Sequence, residues 1–255
     1  MARIFGFQPK DVSSNLATRS KKRESDMEEN SIKNEFKVTV VDKAETKEWI
    51  LKKHYAKTMP SVMHTFGLLD KDEVLQGVCL YGTPANNHNN QLGEHKMIEL
   101  VRLVINEGHK KNVLSYFVSQ TFKLLPRPLA LISYADAGVN HHGYIYQATN
   151  WIYSGLGGGV DYYRDQDGKD IHSRIMSDLR KKYPDRTRPE IAEMKKWATV
   201  KGTYKHRYFT FLGSKKEKKQ MRKALLEKYN IEPYPKGDNV RYDASYTPDV
   251  QERLF

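Results

Sequence analysis

Asp136 closes an apolar run, Leu129 to Ala135, and is followed by His141, His142, Gly143 and then Tyr144 to Trp151. A carboxylate at the end of a buried strand is held on a rigid element, and a Gly/Asn/His turn after it leaves the rim open. Tyr146, Gln147 and Asn150 stand on a segment whose Ile145, Ala148, Trp151 and Ile152 fit one helical face, so they can reach back over that rim. A group of this kind suits proton removal from a weak nucleophile beside an oriented electrophile. Asp136 is the first candidate for base or orienter. The alternative is plain: a carboxylate at a strand end also serves as a cap or turn ligand. His54 and Tyr55 stand near the end of an earlier helix that could face the end of the Asp136 strand. Imidazole, phenolate and carboxylate together make a plausible set for iron; packed on a sheet, the same imidazole would bond a backbone carbonyl instead.

The elements that position these groups follow from periodicity. Val38, Val40 and Val41 mark a strand, and Lys43 to Met59 reads as a helix that Pro60 stops. Strands over Thr65–Leu69 and Gly77–Tyr81 are joined by a hairpin at Asp70 to Glu73. The loop from Gly82 to Gly93, with Pro84 and four Asn, is exposed and could close over a ligand. Met97 to Ile105 is another strand, and Val113 to Leu125 is an amphipathic helix with Asn112 as its N-cap. The order is that of an acyltransferase-like α/β domain.

With 255 residues and 38% hydrophobic content, the chain can bury one sizeable α/β core. Residues 1–35 are polar and read as a loose arm, 36–157 as the core, and 158–255 as a basic α+β extension and tail. The single Cys79 excludes a disulfide framework, and no apolar run has the length to span a membrane. A soluble protein of a reducing cytoplasm is expected. A net charge of +12 and a pI near 9.5 point to a polyanionic partner, although a basic surface would serve solubility equally.

His54-Tyr55, Phe66-Gly67, Gly82-x-Pro84, Glu99-Leu100-x-Arg102-Leu103, Asn112-x-x-Ser115, Tyr134-Ala135-Asp136 and Asn150-Trp151 occur in one order. In that order the chain resembles phage Mom-type adenine-modification proteins of the GNAT-like acyltransferase superfamily, over about residues 45 to 155. The resemblance implies a GNAT-like acyltransferase fold, a central mixed sheet flanked by helices. It implies transfer of a carbamoylmethyl group to the exocyclic amine of adenine in phage DNA, protecting it from restriction in the host cytoplasm. It lends functional weight to His54, Tyr55, Arg102, Ser115, Asp136 and Tyr146. It also implies an acyl-CoA-like donor whose pyrophosphate would meet Lys110, Lys111, Asn112 and Ser115 at a helix start, with Arg102 as a further anion ligand. The usual Arg/Gln-x-x-Gly-x-Gly/Ala signature is absent there, with only Gly108 present. Arg102 could equally pair with Glu99 or a carbonyl at the sheet edge.

After Trp151, Gly155 to Gly159 reads as a flexible link and Asp165 to Gly168 as a hairpin turn. His172–Tyr183 and Lys215–Lys228 read as basic helices, with a strand over Lys205–Leu212 between them. Basic residues interleaved with aromatics suit duplex DNA with a flipped adenine, with Arg174, Lys205, Arg207 and Lys215 as candidate contacts. A solvated helix face and a core of aromatics would give the same pattern. An N-acyltransferase acting on a protein amine or tRNA and a non-catalytic DNA-binding protein are the other readings, and a homodimer stays open.

Overall fold

The computed structural model describes residues 31–84, 86, 90–159, 161–171, 173–237, 245, 246 and 248, with only the backbone at Ser173 and Arg174. Most of the polar arm therefore lies outside the described residues, as do parts of the Asn-rich loop and of the tail. Residues 31–35, placed with the arm by composition, are helical, and Ile32 is buried.

The chain divides into two compact units. The first comprises Met1–Thr83, Val101–Pro126 and Asp243–Phe255. In it β1 (Phe36–Val40), β2 (His64–Asp70) and β3 (Leu75–Gly82) pair antiparallel in that order. Helix α1 (Lys43–Glu48) starts at a capping box in which Asp42 accepts the Ala44 N–H at 2.7 Å and its own N–H donates to Glu45 at 2.8 Å. The expected helix to Met59 stops earlier. After Glu48 the chain widens into a π-helical turn, Trp49–Lys53, that buries Trp49 and Ile50 with Val78, Leu80 and Val104, and His54 is already extended. Helix α2 (Val113–Leu124) completes this unit.

The second unit comprises Pro84–Leu100 and Arg127–Tyr242. Its sheet runs from the first half of β5 (His95–Ile105) through β6 (Leu129–Asp136) and β11 (Tyr204–Leu212) to β7 (Ile152–Gly158). Only β5 and β6 are parallel. Side chains alternate across a strand. Ala130, Ile132, Phe209 and Phe211 therefore share one face, covered by Met221 and Leu225 of α6 (Lys215–Leu226) and by Leu92 of β4 (Gln91–Leu92). Ser133 and Tyr208 fall on the opposite face, with α3 (Tyr144–Ala148). A smaller sheet of β8 (Tyr162–Arg164), β9 (Asp170–Ile171) and β10 (Ala198–Val200) packs with α4 (Ser173–Lys182) and α5 (Arg188–Met194) around Tyr163, Met176, Ile191 and Ala192.

The fold is thus mixed α/β, a mostly antiparallel sheet flanked by helices. The expected link at Gly155–Gly159 is instead largely strand β7. Its glycines take positive φ at Gly155 and Gly158, and the register with β11 shifts between His206 and Tyr208, so pairing overrides low strand propensity. Among the described residues no helix is long and apolar enough to cross a membrane.

Candidate functional site

The parallel ladder of β5 and β6 covers only Met97–Glu99 against Ala130–Ile132. One residue further a side chain replaces the backbone contact: Ser133 Oγ lies 2.8 Å from the Leu100 carbonyl oxygen and 2.7 Å from the Tyr146 hydroxyl. A carbonyl can only accept and Ser133 has one proton, so Ser133 donates to Leu100 and Tyr146 donates to Ser133. The position of the Tyr146 hydroxyl is set from below by the strand and from the side by rings.

Tyr146 lies 5.1 Å, centroid to centroid, from both Trp151 and Tyr208. Tyr208 stands opposite Ser133 on β6 and Tyr153 on β7, which makes a row of polar-tipped side chains across one face of the sheet. The Tyr208 hydroxyl donates to the His142 carbonyl at 2.5 Å, and the Gln147 amide donates to the His142 carbonyl, Tyr208 and the Pro235 carbonyl. Gly143 is required between them. It has φ +71°, and a Cβ there would lie 2.5 Å from the Tyr208 ring. Burial raises the Tyr208 hydroxyl far above the ordinary tyrosine range, so it stays a neutral donor.

Tyr153 and the Nδ1 of His206 share a hydrogen bond of 2.9 Å. Burial, and then the neighbouring His142, hold His206 below its ordinary pKa of about 6.5. Between that lowered value and 6.5 the unfolded chain binds more protons than the folded one, so stability rises with pH and is withdrawn on acidification. The melting temperature is expected to fall between pH 7.5 and 5.5, and less steeply in His206→Gln. His109, which burial also holds down, supplies a share that stays in the variant. An unchanged slope in the variant would assign the pH dependence elsewhere.

Asp136 caps the short 3-10 turn Ala137–Val139, where its Oδ1 accepts the Gly138 N–H at 2.8 Å. It stands three positions beyond Ser133, so alternation directs its side chain away from the Ser133 face. Asp136 therefore holds the turn that leads into α3 and Tyr146. Of the candidate DNA contacts, Arg207 is engaged: it donates to Ser154 Oγ at 2.8 Å and to the Ser154 carbonyl at 3.1 Å, with its guanidinium 4.0 Å from the Tyr229 ring centroid. Lys205 and Lys215 are exposed. The side chain of Arg174 lies outside the described residues.

The other expected site residues belong to the first unit. His54 is buried, its Nδ1 accepts the Ala56 N–H at 3.1 Å, and its ring stacks on Tyr55 at 4.5 Å. Among the described residues no group of three or more His, Cys, Asp and Glu side chains is placed to hold a metal ion. Iron at His54, Tyr55 and Asp136 gains no support, since His54 Nδ1 accepts the Ala56 N–H and Asp136 Oδ1 caps its turn. Arg102 donates to the Thr58 carbonyl at 3.0 Å and to the Val101 carbonyl at 2.7 Å, the carbonyl reading of the sequence rather than an open anion fork. Asn112 stands at the expected N-cap position of α2, in the left-handed region at φ 71°, but its side chain makes no capping hydrogen bond. Lys110 pairs with Glu35, Ser115 donates to the Asn112 carbonyl at 2.9 Å, and Lys111 is exposed. A helix start with no side-chain cap attracts anions.

Ser133, Tyr208 and His206 were not among the candidates from sequence. Ser133 had one signal, a lone hydroxyl inside an apolar run; nothing local marked the other two.

No curated protein matches the chain. Among solved structures it is similar to the ribosomal-protein-S18-alanine N-acetyltransferase of Escherichia coli, at 7% identity over 70% of this chain and 95% of that one, with a TM-score of 0.39. It is also similar to an acetyltransferase of Bacillus subtilis in complex with CoA, at 11% identity over 69% of this chain and 99% of that one, with a TM-score of 0.38. At these scores the likeness carries no argument about activity. The Mom protein family matches residues 35–236, a span that takes in β6, the turn Asp136 holds, α3, β7 and β11, and the chain therefore belongs to the Mom protein family.

Proposed function

We propose that this chain is an acyltransferase-type enzyme that places a carbamoylmethyl group on the exocyclic amine of adenine in phage DNA, in the cytoplasm of the infected host, where the modified genome resists restriction. Membership of the Mom protein family carries this reading. The amine is a poor nucleophile because its lone pair is delocalised into the ring, so its N–H must be oriented by a fixed acceptor while the new N–C bond forms, the bond from the transferred carbon to the donor's leaving group breaks, and that leaving group departs with the bonding pair and takes up the proton the amine releases. Tyr146 suits that role, with its own proton given to Ser133 and its ring held by Trp151 and Tyr208. Asp136 is then a positioning residue that holds the turn before α3. Lys111, Ser115 and the first-turn amides of α2 are the groups that would hold the pyrophosphate of an acyl-CoA-like donor, which supplies the transferred group.

The test is mass spectrometry of nucleosides from DNA of cells expressing the protein, beside Tyr146→Phe and Asp136→Asn at equal soluble levels. A heavier deoxyadenosine is expected with the wild type and with Asp136→Asn, because Asn caps a turn about as well as Asp. It is expected to be nearly lost in Tyr146→Phe. Unmodified DNA from well-folded wild type would overturn the reading, and loss in Asp136→Asn would return Asp136 to the role of base.

A further inference from the structure

Helix α6 carries Lys215, Lys216, Lys218, Lys219, Arg222 and Lys223, and all six are exposed. At 100° per residue these six fall within about half of the helix circumference. The opposite side is anchored: Met221 and Leu225 are fully buried against Phe209, Phe211 and β6. The cationic face is thus fixed on the sheet of the second unit.

Two features of this face work against the helix that bears it. Lys215–Lys219, Lys219–Lys223 and Lys218–Arg222 are like charges at i,i+4, which repel, and among the described residues none of the six has an ion-pair partner. Lys215 and Lys216 also occupy the first turn, the end where the helix dipole disfavours cations. The nearby Glu217 does not neutralise them from the outer face, since its carboxylate accepts the Ser214 N–H at 2.7 Å in the capping box. The basic helix α4 differs. There Arg180 donates to the Arg186 carbonyl, Lys181 pairs with Asp178, and Lys182 lies over the Tyr183 ring. Arg180, Lys181 and Lys182 of α4 are engaged by local partners, whereas among the described residues no ion pair engages the six cations of α6.

A polyanion explains them. From Lys215 to Lys223 the helix rises about 12 Å, so its six charges fall at roughly one per 2 Å. One strand of duplex DNA carries a negative charge per about 3.4 Å of the axis, so over about 12 Å the face would meet roughly three or four phosphates of one backbone. We infer that the outer face of α6 lies along the phosphate backbone of duplex DNA as a sequence-independent grip. This inference rests on the DNA reading above and adds the surface that holds the duplex, apart from the residues around Tyr146.

The experiment is fluorescence anisotropy of a 30-base-pair duplex with the full chain between 50 and 300 mM salt. The variant is K215Q/K218Q/K219Q/R222Q. Gln is a good helix former and all four positions are exposed, and circular dichroism melting checks that the fold is kept. The slope of log K against log salt is expected to become shallower by about 2 to 4, since each lost phosphate contact removes about 0.9. The control K181Q/K182Q on α4 is expected to change the slope by less than about 1. An unchanged slope in the α6 variant overturns the inference, as does an equal loss in the α4 control, which would mean net charge alone. Stronger competition by RNA than by an unlabelled duplex overturns it in favour of another nucleic acid. A shallower slope in a protein that leaves deoxyadenosine unmodified keeps the grip and removes the enzymatic reading. Modified DNA with an unchanged slope does the reverse.

Discussion

Tyr146→Phe is expected to lower the rate of group transfer by about 10²-fold, the size for loss of a group that orients the reacting atoms, with the fold kept. The substitution keeps the ring and its contacts with Trp151 and Tyr208. It removes the hydrogen bond to Ser133, worth about 1 kcal/mol. Ser133 still donates to the Leu100 carbonyl, so no buried donor is orphaned. Stability and activity should therefore separate. Single-turnover modification of a duplex measures the rate, and thermal melting measures the fold. A rate within about threefold of the wild type would remove Tyr146 from the reaction, whereas a large loss of melting temperature would make the hydroxyl structural.

Trp151→Ala is expected to cost about 3–5 kcal/mol, the range for truncating a buried aromatic. Trp151 is 0% exposed, its ring lies against Tyr146, and its carbonyl accepts the Tyr234 hydroxyl at 2.5 Å. Folded domains are stable by only about 5–15 kcal/mol, so one such change takes a large share of the total. At about 2–4 °C per kcal/mol for a chain of this size, the melting temperature should fall by roughly 10 °C. Tyr204→Ala is the matched control. Tyr204 is 60% exposed on the same unit, and its loss should stay within about 0.5 kcal/mol. Equal losses in the two variants would mean that the rings around Tyr146 do not act as a core. A fall confined to Trp151→Ala, with activity lost even below its melting temperature, would show that the ring also fixes the phenol.

The stretch from Leu129 to Trp151 was legible as a strand, a turn and a short helix because its signals are local. An apolar run is bounded by a carboxylate and a glycine turn, then apolar residues recur at helical spacing. The hairpin at Asp70–Glu73 and helices α2 and α6 were legible for the same reason. Helix α5 was missed although its start is written in the chain: Thr187 and Glu190 form a capping box with Pro189 in the first turn. The helix after Asp42 was read too long because periodicity does not distinguish an α-helix from one that widens to bury Trp49 and Ile50 together.

The sequence by itself determined the elements whose residues are neighbours along the chain, the family resemblance and the basic face of α6. Only the tertiary structure decided that Tyr208 stands beside Ser133 and Tyr153, that glycine-rich Ile152–Gly158 is a strand, and that Asp136 caps a turn while Arg207 and Arg102 are held by carbonyls. The physical reason is the range of the interactions. Helical spacing, caps and turns are set by residues a few positions apart, whereas a sheet joins strands distant in sequence, and its register alone selects which side chains share a face.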